Sequence, residues 1–344
     1  MLTEVDILRK KFVRNIFTDK KINDHKQAEY LLLLGKLIKN GFSLKQSVNC
    51  LRLISNDEVF RKIYKDLQQG KTISFSLRHL DLPKAIYNQL IIAQTHGSLQ
   101  KILMQSGLIL QTKAKQKNKL KELLAYPLFI IGFLFVMLMG MKLYVIPQLG
   151  MGSETKYIDL FLQVFFGLIF FGSLTLMIYV KYLQTIPEYK SANQLIKLPI
   201  LGKIYLNFYQ FIILQGLGLQ VASGLNLREI CSINLNFASG SLQEMMAKKI
   251  ESELRKGSSL NKIIRKEKFL PNELKSIFQL GGGKSELAQD LILMSELKFE
   301  ETQKSLKKIL NLVQPIMFGI IALIIIATYL IVLLPVYGMM KGMS

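Results

Sequence analysis

The sequence predicts an all-α integral membrane protein in which a cytoplasmic helical-bundle domain occurs twice and three transmembrane helices cross the bilayer. The stretch Tyr126–Pro147, YPLFIIGFLFVMLMGMKLYVIP, carries no charge until Lys142 and is bounded by Pro127 and Pro147, twenty positions apart. Twenty helical residues rise roughly 30 Å, the hydrocarbon thickness of a bilayer. A second copy follows: QPIMFGIIALIIIATYLIVLLPVY begins at Gln314, and Pro315 and Pro335 stand 188 positions after Pro127 and Pro147. Half of the residues are hydrophobic while a fifth are charged, which suits apolar spans separated by water-facing bundles.

Residues 1–24 form a basic segment, with Ile7, Leu8, Phe12, Val13, Ile16 and Phe17 near one helical face and Arg9, Lys10, Lys11 and Arg14 on the other. Such an amphipathic segment suits anionic lipid or a protein partner. It contains no apolar run of seven residues, so no cleavable signal is expected.

The first cytoplasmic helical domain occupies 25–125. Tyr30, Leu34, Leu37 and Ile38 follow helical spacing, and Asn40-Gly41 supplies a stop. Ser43 and Gln46 then make a capping box for the next helix. Further helices are expected at Glu58–Leu67, Thr72–Leu80 and Lys84–Thr95, with Pro83 in the first turn of the last. From Ser98 a long pattern runs through KAKQKNKLKEL into the first span, 126–147. Lys113, Lys115, Lys117, Lys119 and Lys121 in that run are candidate contacts for a cytoplasmic partner or for lipid.

A short extracytoplasmic loop, 148–159, leads to the second span, 160–180, whose polar residues are Gln163, Ser173 and Thr175. A cytoplasmic connection, 181–204, and a second helical domain, 205–313, precede the third span, 314–337, and a tail, 338–344. The formal net charge is +21, of which +13 lies in 1–125 and +6 in 184–313, whereas Glu154 and Asp159 face Lys156 between the first two spans. The positive-inside bias places both domains and the N-terminus in the cytoplasm and the C-terminus outside. Lys142 can snorkel to the outer interface.

The duplication extends through the domains. Gly41 pairs with Gly224 at a shift of 183, Gly70 with Gly257 at 187, and Pro83 with Pro271 at 188, before the span prolines. Ser43 and Gln46 fall on Asn226 and Glu229. Left-handed stops, caps and prolines each demand a different backbone geometry, so their shared order marks one unit used twice.

These features resemble the type II secretion system F family, the inner-membrane platform proteins of type II secretion systems, type IV pili and the competence pilus. The resemblance runs from about Tyr30 to Tyr337 and rests on LLLLGKLIKNGFSLKQSV, FIILQGLGLQVASGLNLREI and the proline-bounded spans. The family's later Gly-Glu-x-x-Gly-x-Leu turn is met only in part: Gln94 and Gly282 occupy the glutamate position, and Ser285 replaces the second glycine of copy two. Modest length, absent tryptophan and abundant lysine and isoleucine are more like the competence-pilus platform of a Gram-positive bacterium. The resemblance implies a non-enzymatic, homo-oligomeric protein of the cell membrane. It couples a cytoplasmic hexameric ATPase to the insertion of major and minor pilins through their transmembrane helices, in support of DNA uptake or secretion, without a cofactor.

Little else in the sequence carries chemistry. LGGGKS at Leu280–Ser285 lacks the first glycine of a phosphate loop, since Phe278 stands there. His25, His79 and His96 have no metal-ligand spacing and read as solvated or helix-end residues, and Cys50 and Cys231 form neither a disulfide framework nor a metal cluster. No acidic residue occurs within the spans, which leaves an oligomeric transporter without the usual ion pathway. A membrane-anchored nucleic-acid binder is the other reading of the +13 domain, but aromatic interleaving is sparse and no direct nucleic-acid contact is expected.

Overall fold

The computed structural model describes residues 22–55, 57–95, 98–140, 143–144, 155–279 and 283–342. Among them there is no strand. The chain divides into two compact units, one up to Lys115 and one from Gln116 onward.

The first bundle is built from α1 (Asp24–Lys39), α2 (Leu44–Ser55), α3 (Glu58–Gln68), α4 (Ile73–Ser76, continuing as a 3-10 turn over Leu77–Leu80), α5 (Lys84–Thr95) and the start of α6 (Leu99–Gly140). Leu31, Leu34, Phe60, Ile63, Leu77, Leu90 and Leu103 fill its core, fully shielded from water. Its helices begin where short polar side chains can take the orphan N–H groups. Ser43 Oγ accepts from the Gln46 N–H at 3.3 Å while Gln46 returns its amide oxygen to the Ser43 N–H at 2.9 Å. Thr72 caps α4 through the Phe75 N–H.

The second unit continues with α7 (Thr155–Thr185), α8 (Glu188–Leu195), α9 (Gly202–Ala222), α10 (Leu227–Leu235), α11 (Leu242–Arg255), α12 (Leu260–Lys266), α13 (Leu274–Gln279) and α14 (Lys284–Gly342). Asn226 and Glu229 form the capping box of α10, as Ser43 and Gln46 do for α2. Element by element, α9 to α14 repeat α1 to α6. The cores repeat as well: Leu31, Leu77 and Leu103 correspond to Leu214, Ile264 and Leu291, and all six are buried.

Within α6 and α14 the apolar stretches are long enough to cross a membrane. Their side chains face outward: Phe129, Phe133 and Val136 on α6, and Ile316, Leu323 and Ile326 on α14, are exposed. Water would make that exposure costly; lipid does not. α7, at 31 residues, is helical throughout 160–180, the stretch for which the sequence predicts the second span. Its Ser173 and Thr175 hydroxyls donate to Phe170 and Gly172 carbonyls, both at 2.9 Å, so each is satisfied on its own helix rather than across to a neighbour. The apolar pair α9 and α10, bent by 120°, is also long enough for a broken span. It is core instead: α9 buries Asn207, Gln210, Gln215 and Gln220 along with its apolar residues and packs along α14.

Candidate functional site

The residues that the sequence marks as repeated lie at helix ends within each bundle and inside the two long helices. Gly41, Gly70, Gly224 and Gly257 have φ of +90°, +74°, +83° and +73°. Each ends a helix with the same pair of bonds. Phe42 donates its N–H to the Leu37 carbonyl and Gly41 to Ile38; Leu225 and Gly224 do the same to Gln220 and Val221. Lys71 and Gly70 bond Asp66 and Leu67, and Ser258 and Gly257 bond Glu253 and Leu254. A left-handed residue reverses the chain so that the last carbonyls are satisfied, and glycine adopts that conformation without Cβ strain.

Pro83 precedes α5 and accepts the first helical bond from the Tyr87 N–H, which puts it at the cap position rather than in the first turn, while Pro271 lies three residues before α13. Pro127 lies inside α6, and Pro315 and Pro335 lie inside α14. A proline has no N–H to give the fourth residue back. The carbonyls of Leu123 and Asn311 therefore lose their usual partner where each helix turns from polar to apolar sequence. Pro147, Lys142, His96 and Gly282 fall outside the described residues, as do residues 1–21 of the basic N-terminal segment.

Lys113, Lys115, Lys117, Lys119 and Lys121 are all exposed on α6. Spaced by two on a helix of 3.6 residues per turn, they surround the helix and do not form one face. Lys113 pairs with Asp24 of α1 at 3.2 Å. At the family's acidic position, Gln94 accepts the Ser74 N–H at 2.9 Å and so helps cap α4 from α5. Ser285 is exposed in the first turn of α14. Lys284 of the LGGGKS run donates to the Gly224 carbonyl at 2.7 Å, closing the second bundle.

Two paired features escape a reading of the sequence position by position. The first is where α1 crosses α6. A Cβ on Gly35 would lie 2.6 Å from Met104 Cγ, and one on Gly107 would lie 2.7 Å from Leu32 Cγ. In the second bundle, a Cβ on Gly218 would meet Ile292 Cγ1 at 2.8 Å. Gly35 and Gly218 are related by the shift of 183, Met104 and Ile292 by 188. Backbones approach closely at both crossings because the residue there has no side chain.

The second feature is an acidic hub. Asp66 accepts from Lys71 Nζ at 2.5 Å and pairs with His79 Nε2 at 2.9 Å. Glu253, 187 positions later, accepts from Ser258 Oγ at 2.9 Å and Lys266 Nζ at 2.6 Å, and these partners are also the residues 187 after Lys71 and His79. His79 sits at the end of the 3-10 turn, as a helix-end residue, and that turn brings its ring back to hydrogen-bond with Asp66 at the end of α3. Burial would raise the Asp66 pKa, but the hydrogen bonds and charges of Lys71 and His79 outweigh it and hold the carboxyl below its ordinary value. Hydrogen bonds from Lys266 and then Ser258 lower that of Glu253. The shared shift was the signal that could have revealed both features.

Among the described residues no group of three or more His, Cys, Asp or Glu side chains could hold a metal. Cys50 is half-buried and free; Cys231 is buried, which pushes its thiol up to about 11, with a smaller contribution from Glu251.

The arrangement defines a membrane protein made of two copies of a helical bundle, each running without a break into a lipid-crossing helix. A family model described as type II secretion system protein F matches residues 30–147 and again 213–335. The chain belongs to that family. It is 26% identical over 290 residues to ComG operon protein 2 of Bacillus subtilis, covering 80% of this chain and 90% of the relative. The corresponding homolog from Halalkalibacterium halodurans is 25% identical over 328 residues, covering 88% and 99%. Type IV pilus assembly protein PilC of Thermus thermophilus is 22% identical over 332 residues, covering 89% and 81%.

Proposed function

We propose that the protein is the non-enzymatic inner-membrane platform of a competence-type pilus. Its two bundles face the cytoplasm and receive a hexameric assembly ATPase, and its spans offer pilin transmembrane helices a surface from which they join the fibre that supports DNA uptake. The observation that carries this reading is the continuity of α6 and α14. Each starts inside a bundle core and continues through 42 and 59 residues into a span, so work done on a bundle reaches the lipid-crossing segment without an intervening loop. The names of the relatives, a ComG operon protein and a pilus assembly protein, favour the same reading.

The test is site-specific photocrosslinking in cells, with the probe at Lys117 of α6, Lys262 of α12 and Phe318 of α14. The expected result is capture of the ATPase from the first two positions and of pilins from the third. Capture of pilins from the bundles, or of neither partner at any position, would refute the proposal.

A further inference from the structure

Between α8 and α9 the chain makes a turn that strains its backbone and leaves apolar side chains outside. Leu201 donates its N–H to the Pro199 carbonyl at 2.7 Å, closing a three-residue γ-turn around Ile200, whose φ is +69°. That hand of the turn is rare and strained, the more so for a β-branched residue. The inner side of the turn is full. Gly202 donates to the Leu198 carbonyl at 2.8 Å, is buried, and leaves no room for a Cβ against the Ile196 carbonyl. The outer side is bare: Ile200 is 78% exposed and Leu201 40%. Single exposed apolar residues are ordinary, but strain at a bulky residue persists only where its surroundings hold it.

Two independent contacts set the height of this turn against the apolar stretches. Phe211 of α9 lies against Phe299 of α14, ring centroids 4.9 Å apart, and Gly218 meets Ile292. Seven residues separate the partners on each helix, in opposite directions, so the pair is antiparallel and in step. Carried eleven residues further, that step sets Ile200 level with Leu310, which is buried. Leu310 lies four residues, about 6 Å, before the apolar stretch that begins at Gln314. From the other side, Gln194 of α8, six residues before Ile200, donates its amide to Tyr182 Oη at 3.4 Å. Tyr182 is two residues past the apolar stretch 160–180 of α7.

The charge around the turn suits anionic lipid. Lys181, Lys190, Lys197 and Lys203 are exposed, and Glu188 is the one acid from 181 to 203. On α14, Lys307 and Lys308 are exposed just before Leu310, and no acid follows Glu301 in the sequence. An apolar tip edged by lysines fits the boundary between acyl chains and anionic headgroups.

We propose that the turn 198–201 is a lipid anchor of the second bundle. Ile200 and Leu201 enter the bilayer at its headgroup boundary, and Lys197 and Lys203 lie against the phosphates of anionic lipid. The anchor rests on the reading of α14 as a span and is independent of the pilus partners.

The test uses the full-length chain with Cys50→Ser and Cys231→Ser. It is reconstituted alone in vesicles of mixed phosphatidylcholine and phosphatidylglycerol that carry a nitroxide near the headgroup end of the acyl chain. A bimane fluorophore at Ile200→Cys is expected to be quenched to within about twofold of one at Phe318→Cys in the span. One at Ser223→Cys, roughly 30 Å away at the far end of α9, is expected to be quenched about tenfold less. Adding Lys197→Glu and Lys203→Glu should cut the quenching at Ile200→Cys by about half, and indifference to that reversal would overturn the assignment to anionic lipid. Quenching at Phe318→Cys without quenching at Ile200→Cys would overturn the anchor and leave the span standing. Quenching at neither would remove both. An unquenched Ile200→Cys that forms disulfides between copies on mild oxidation would also overturn the anchor, because a second chain would then cover the turn.

Discussion

Gly41 and Gly224 give the cleanest measure of what single positions contribute. Nothing lies within 4 Å of a Cβ added at either, so an alanine there meets only the left-handed backbone penalty. Gly41→Ala and Gly224→Ala should each cost about 1–2 kcal/mol, read as a lowered unfolding midpoint in detergent. Asp66→Asn should cost about 1–3 kcal/mol, since Lys71 and His79 lose the charge that both face. The sign of the pH effect follows from its lowered pKa. The carboxylate stabilises the fold fully above its ordinary value of 3.8, and that contribution is lost as pH falls through the depressed folded value. Wild type should therefore lose stability below about pH 4 more steeply than Asp66→Asn, in acid titrations followed by circular dichroism. The stops and caps at these positions were legible in the sequence because each is a local device of a few residues. The Asp66 hub was not, since it needs α3, the turn after it and the 3-10 turn to be brought together.

Among the elements, α6 and α14 matter most for the proposed role. Pro-Gly inserted beside Lys115 should abolish fibre assembly while leaving membrane abundance normal, measured by surface pilin counts against fractionated protein. Retained assembly would mean that α6 need not be continuous. Helix order, the long run from Ser98 into Tyr126 and the copied spans were all apparent from periodicity and prolines. For α9 the repeat decides: its apolar length alone resembles a span, but FIILQGLGLQVASGLNLREI matches the α1–α2 stretch and assigns it to the second bundle, where it packs along α14 and buries four amides. A hydrophobic stretch reports that it avoids water, not whether protein or lipid replaces the water.

For the whole molecule, the duplication places equivalent turns in both bundles, and the proposed function requires both to face the cytoplasm. Cysteines introduced at Asn40 and Ser223 should react with a membrane-impermeant thiol reagent only after the cytoplasmic face is opened. Labelling of one from each side would dismantle the shared docking face on which the platform reading relies. The duplication was readable because its landmarks are residues with unusual backbone demands. Matched core positions such as Leu31 and Leu214 could not stand out in a chain so rich in leucine.

Pro127 and Pro315 carry one more implication. Each rod is missing a rung near its threshold to lipid, at Leu123 and Asn311, where solvent can hydrate the bare carbonyl and the rod resists bending least. Both copies thus carry the same weak rung, and under the proposed function alanine at Pro127 or Pro315 should slow fibre assembly, read as surface pilin counts, without changing how much protein the membrane holds.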